Sequence, residues 1–216
     1  MEPRAVAEDV LAEQISYYRH RAAEYDVTSY RDLAFARQRI DQVLTDLAPT
    51  GRILELACGT GMWTQALARW TDDLTALDSA PEAIAIARTR CPDSVRFVET
   101  DLFQWRADGR YDTVFVGFFL SHVPSLRLDG LFGEIGRALA PGGRVFIVDE
   151  HVGVERPELR VAGQPDVATR TLADGSTHRL IKVFLDPEQL TARLATLGWQ
   201  ASFEIDEDWV IGELCR

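Results

Sequence analysis

Lysine is nearly absent from this 216-residue sequence: Lys182 is the one lysine among 23 basic residues, and arginine supplies the rest. That skew reads as coding bias and carries no functional inference. Cysteine is also scarce. Cys58, Cys91 and Cys215 are odd in number and far apart, with no C-x-x-C and no Cys/His pair at ligand spacing, so a disulfide framework and a zinc motif are both excluded. Long apolar runs are missing as well. The longest, Val114 to Leu120, falls far short of the roughly 20 residues a membrane span needs, and the first residues are charged where a signal peptide would be apolar. A reduced, cytoplasmic, soluble protein is expected. Positive charge is in deficit, 23 basic against 34 acidic residues for a net −11, which opposes a phosphate backbone and argues against nucleic-acid partners.

What is present is ordinary for a globular chain. Hydrophobic residues make up 46% and charged residues 26%, enough for one sizeable domain with a core. Val6, Val10, Leu11, Ile15 and Tyr18 recur at helical spacing, as do Leu33, Ile40, Val43, Leu44 and Leu47. From residue 51 short apolar runs alternate with helical patterns: 53–57, 74–78, 95–98, 113–117 and 144–148 as strands, and 61–70, 81–90 and 127–139 as helices. This alternation predicts an α/β fold with a doubly wound parallel sheet. Ser79-Ala80-Pro81-Glu82 reads as a capping box, and Asp186-Pro187-Glu188-Gln189 repeats the arrangement before a helix that Gly198 ends. Asp174-Gly175 predicts a hairpin outside the alternation, and 200–205 with 209–214 predict an antiparallel pair.

The chemistry concentrates where the first strand meets a glycine turn, Leu54-Glu55-Leu56-Ala57-Cys58-Gly59-Thr60-Gly61-Met62-Trp63. Glycine at 59 and 61 lets backbone turn sharply and approach a ligand closely. Glu55 inside an apolar strand calls for a companion, and Asp78, 19 residues beyond Gly59 at the end of the second strand, stands where a carboxylate accepts from a ribose diol. A nicotinamide dinucleotide would want a third glycine where Thr64 stands and would meet unwelcome carboxylates. S-adenosylmethionine carries no phosphate and suits the acidic pattern.

Several motifs in order resemble the class I S-adenosylmethionine-dependent methyltransferases, in a small-molecule branch near the quinone and natural-product enzymes. LELACGTG (54–61) is similar to the first motif, with Ala57 where many members have glycine. ALDSAPEAIAIAR (76–88) is similar to the second, ETDLFQW (99–105) to the adenine segment, and YDTVFVGFFLSHVP (111–124) and LAPGGRVFIVDE (139–150) to strands four and five with their exits. The resemblance implies a Rossmann-like seven-stranded sheet of order 3-2-1-4-5-7-6 with its last strand antiparallel, an N-terminal helical lid over 1–49 and a cofactor domain over 50–216. It implies cofactor contacts from Tyr25, Glu55, Ala57, Gly59, Thr60, Gly61, Trp63, Asp78, Ser79, Asp101, Leu102 and Phe118.

Methyl transfer from a sulfonium needs alignment above all, and a base only where the acceptor is protonated. His122, after strand four, and His151, after strand five, are the candidate catalytic residues, at the strand ends where open sheets bind ligands. Arg156, Arg160, Arg170, Arg179 and Lys182 lie in an insertion that would either shape a pocket for an acid or cover an apolar face. The expected reaction is O- or N-methylation of a small acceptor ahead of C-methylation, with no metal. A nicotinamide-dependent oxidoreductase and a non-catalytic cofactor-binding protein are the alternatives, and the oligomeric state is left open.

Overall fold

Alternate side chains along the central strands sort to opposite faces, and this decides where every helix lies. The computed structural model describes residues 3–30, 32–154 and 160–216; Arg156 lies outside them. Helices α1 (Pro3–Arg21), α2 (Tyr25–Ser29) and α3 (Leu33–Leu47) come first. Then follow β1 (Ile53–Leu56), α4 (Met62–Leu67), β2 (Leu74–Asp78), α5 (Pro81–Arg88), β3 (Arg96–Glu99), β4 (Tyr111–Gly117), α6 (Leu128–Ala138) and β5 (Leu139–Glu150). The last part holds β6 (Arg160–Val161), β7 (Gln164–Thr171), β8 (Thr177–Ile181), α7 (Pro187–Thr196), β9 (Gln200–Asp206) and β10 (Trp209–Cys215).

The main sheet has the order β3-β2-β1-β4-β5-β10-β9, and β10 runs antiparallel to both neighbours. This is the order the motifs imply, with β9 and β10 as its sixth and seventh strands. Ile53, Phe115, Phe146 and Val148 bury one face against α3, α4 and α5. Leu54, Leu56, Val114, Val116, Val145 and Ile147 bury the other against α6 and α7. Strands covered on both sides must be apolar throughout, which is why they appear in sequence as runs without alternation.

Two details of helix capping differ from each other. Asp186 accepts from Glu188 N and Gln189 N as expected, and Gly198 takes φ +82° after that helix. At α5 the capping box does not form. Ala80 is the N-cap, Asp78 Oδ1 accepts from Ala80 N at 2.8 Å, and Glu82 turns outward to Arg19. That N-cap falls one residue later than the box requires and has no side-chain acceptor, and Glu82 is drawn to Arg19 instead.

The hairpin at Asp174-Gly175 joins β7 to β8, and β6 adds a third strand. This small sheet and α1 roof the carboxyl ends of the main strands. Val10 and Leu11 pack with Val167 and Ile181, and Tyr17 packs with Leu172 and Leu180. Helix α3 instead belongs to the covering layer. Its Arg39 ties it to the β9–β10 turn, pairing with Asp206 and Asp208 and lying 3.7 Å above the Trp209 ring. Among the described residues no helix is long and apolar enough to cross a membrane.

Candidate active site

After β1 the chain must change direction within five residues, and three of them adopt the left-handed conformation: Ala57 at φ +58°, Gly59 at +53° and Gly61 at +86°. A β-carbon on Gly61 would sit 2.8 Å from that of Ala87, so glycine there permits α4 to lie against α5. A β-carbon on Gly59 would meet nothing within 4 Å, so that backbone faces open space. Ala57 holds its conformation without that freedom, at a cost of about 1 kcal/mol.

Asp78 binds this turn to the next strand. Its Oδ2 accepts from Gly59 N at 2.7 Å and its Oδ1 from Ala80 N, while the residue is 9% exposed at the cleft wall. Burial raises its pKa, and the N–H donors of Ala80, Gly59 and Ser79 oppose the rise. Asp101, beyond β3, has Oδ1 on Phe103 N and Oδ2 on Gln104 Nε2. Leu102 is buried beside it. From the strand-four exit come Gly117, Phe118 at φ +51° and the 3₁₀ turn Leu120–His122.

These ends converge on one concave cleft, the usual form of a small-molecule site. Its wall brings together Tyr25, Ala57, Gly59, Thr60, Asp78, Ser79, Asp101, Leu102, Phe118 and His122 of the residues expected from sequence. Glu55, Gly61, Trp63 and His151 lie outside that wall. Glu55 points under α4, 2% exposed, with Oε2 unbonded. Burial raises its carboxyl to about 8, with Thr64 opposing and Asp78 adding to the rise. Trp63 packs in the core on Phe115 and Trp209. His151 spends both nitrogens on backbone, Nδ1 accepting from Gly153 N and Nε2 donating to Glu207 O, each at 3.0 Å. The strand-five exit turns it toward the β9–β10 connection, away from the cleft.

Helix α1 supplies Tyr18 and also Gln14, to which no sequence motif pointed. Gln14 Oε1 accepts from Ile181 N at 2.8 Å and its Nε2 donates to His122 O at 3.1 Å. His122 Nδ1 is 2.7 Å from Ile181 O. A carbonyl only accepts, so Nδ1 carries the proton and Nε2 is a lone pair, which accepts from the Tyr18 hydroxyl at 2.9 Å. Burial first, then Lys182, Arg170 and Arg21, pull His122 well below the usual histidine range, while the bond to Ile181 acts the other way. The ring is neutral at pH 7. Burial likewise holds the Tyr18 hydroxyl protonated.

The roof is latched at two further points. Asp26 of α2 accepts from Thr60 Oγ1 at 2.6 Å and pairs with Arg90 at 2.5 Å. Arg19 of α1 grips both oxygens of Glu82 on α5.

The family described as "Methyltransferase domain" matches residues 53–143. A ubiquinone biosynthesis O-methyltransferase of Xanthomonas axonopodis pv. citri is 32% identical over 170 residues, covering 75% of this chain and 68% of the relative. The chain is a class I S-adenosylmethionine-dependent methyltransferase. A structure described as a DhpI-SAM-HEP complex is 36% identical, covers 96% of this methyltransferase and 98% of its own chain, and superposes with a TM-score of 0.84. The glycopeptide N-methyltransferase MtfA bound to S-adenosylmethionine, 22% identical with a TM-score of 0.63 over 82% of this chain and 92% of its own, shares the fold. S-Adenosylmethionine is the cofactor of this methyltransferase. The cleft has the chemistry for it: an open backbone cradle at Gly59, a buried carboxylate at Asp78 without a cationic partner among the described residues, and acidic groups that would repel a pyrophosphate.

Proposed function

We propose that this methyltransferase acts on an oxygen of a small molecule held between Phe118, Tyr25 and the Tyr18–His122 pair. In this reading Asp78 takes the ribose, Asp101 and Leu102 the adenine, and the backbone from Ala57 to Thr60 the amino-acid end. Ser79 stands beside the ribose carboxylate. The bound cofactor supplies an activated methyl group on a sulfonium. The protein's residues supply alignment, which is worth roughly 7–11 kcal/mol where the reacting atoms are well placed. Neutral His122 and the Tyr18 hydroxyl orient the acceptor from the roof side. Glu55, Gly61 and Trp63 act from behind the wall, as support for the turn and α4, and His151 braces the β9–β10 turn.

The observation that carries this reading is one cleft whose wall holds Asp78 and Asp101 together with Tyr18 and His122. The names of the curated relatives, O-methyltransferases, favour oxygen. Calorimetry with S-adenosylhomocysteine and NADH tests the cofactor half: the first binds and the second does not. Asp78→Ala should weaken S-adenosylhomocysteine at least tenfold, about 1.4 kcal/mol; an unchanged dissociation constant would mean the ribose lies elsewhere. Mass detection of methylated products from an acceptor panel tests the other half.

A further inference from the structure

The three cations around His122 are not in equivalent states. Lys182, 5% exposed, donates to Ser121 Oγ at 2.9 Å and is paired with Glu150, and it offsets the buried charge of Asp149. Arg21 donates to Thr28 Oγ1 and Ser29 Oγ and lies 4.7 Å above the Tyr25 ring. Arg170 is half-buried, and its Nη1 is sealed from water with no hydrogen-bond partner among the described residues.

Strand register fixes where Arg170 looks. In the β7–β8 pair Arg170 is opposite His178 and Ala168 opposite Leu180, and Lys182 N continues the ladder to Asp166 O. Residues two apart share a face, so Arg170, Leu180 and Lys182 are on one side of the small sheet. Lys182 reaches Ser121 from that side, and Leu180 packs on Tyr17. Arg170 therefore faces the roof aromatics and the His122 turn, and its charge is felt at Tyr17, Tyr18 and His122. A buried guanidinium nitrogen without an acceptor costs on the order of 1–3 kcal/mol, in a protein with eleven excess negative charges from which a partner could have been drawn.

We propose that Arg170 is the anchor of an oxyanion subsite and that the acceptor is a small acid, methylated on an oxygen that arrives already deprotonated. This rests on the methyltransferase reading above and narrows its substrate class to carboxylates and phosphorus oxyanions. The acceptor oxygen forms its bond to the methyl carbon as the carbon–sulfur bond breaks, sulfur keeps the electron pair, and no proton leaves the acceptor. The setting of His122 agrees with that chemistry. A base that had to become cationic would do so facing Lys182, Arg170 and Arg21, whereas an anion is drawn to the same place.

The test uses the full-length protein saturated with S-adenosylhomocysteine, titrated calorimetrically with inorganic phosphate, benzoate and, as a neutral probe, phenol, at ionic strength fixed with potassium chloride. At least one acid should bind saturably, and more tightly than phenol. Arg170→Gln and Arg170→Met should each weaken the acid roughly tenfold or more while leaving the S-adenosylhomocysteine affinity within about twofold, and either variant that keeps that affinity decides the matter. Absence of acid binding to the wild-type protein, phenol binding as tightly as the acids, or equal acid binding by a folded variant overturns the proposal. Failure of the wild-type protein to bind S-adenosylhomocysteine would instead overturn the cofactor assignment.

Discussion

At the scale of single residues, the cleft wall is held by backbone conformations and protonation states that amino-acid type alone does not announce. Ala57 sits at φ +58°. Glycine would remove the clash of its β-carbon, a gain of about 1–2 kcal/mol set against the greater freedom glycine has when unfolded, about 0.5–1 kcal/mol. Ala57→Gly should therefore raise the unfolding free energy by about 0.5–1 kcal/mol, read from denaturant titration. Glu55 is a second case. Its carboxyl is lifted from 4.5 to about 8, so between these values the folded protein holds a proton that the unfolded chain releases. Stability contributed by the neutral form is present below pH 4.5 and is lost as pH rises toward 8, at roughly 1.4 kcal/mol per unit for this group. Glu55→Gln, neutral at every pH, should match the wild-type melting temperature near pH 5 and exceed it at pH 8. A wild-type advantage that grows with pH would show that Glu55 works as a carboxylate.

At the scale of elements, the chain was legible where burial is two-sided and obscure where contacts are distant. Runs such as Ile53–Leu56 and Val114–Val116 named their strands because both faces need apolar side chains, and β9 and β10 were given by the shortness of their connection. Asp78 and Gly59 were legible because a strand end followed by a turn fixes their place by spacing, and Asp101 through the resemblance of the segment 99–105. The roof was not. Tyr18 meets His122 across 104 residues and Gln14 meets Ile181 across 167, contacts set by how the small sheet docks and by no local pattern. The α5 cap failed as a local rule because the helix begins one residue later, at Ala80, and Glu82 is held by the distant Arg19. Helix α2 has five residues and no buried side chain, so its position depends on the Asp26 bonds to Thr60 and Arg90. Asp26→Ala should speed S-adenosylhomocysteine release several-fold in stopped-flow measurements with little change in melting temperature, since the pair fastens a cover that carries little of the core.

At the scale of the whole molecule, charge of the two signs is sorted between layers: Asp78 and Asp101 line the cleft, while Arg170 and Lys182 are on the small sheet, where their charges reach the His122 ring. The roof and the sheet below it are joined mainly by hydrogen bonds, while the sheet itself is closed by two apolar layers. Ligand binding should therefore be felt unevenly. At 100 times its dissociation constant S-adenosylhomocysteine adds about 2.7 kcal/mol to global stability. Hydrogen exchange should slow most in α1, α2 and β7–β8, with β1, β4 and β5 already protected in the free protein. Uniform protection would mean that roof and floor open as one unit.

Ile181 gives its N–H to Gln14 and its carbonyl to the His122 ring, through the two peptide units that meet at its α-carbon. Because Tyr18 and Gln14 both belong to α1, the helix that covers the ring also supplies the donor to one ring nitrogen and braces the residue whose carbonyl fixes the proton on the other.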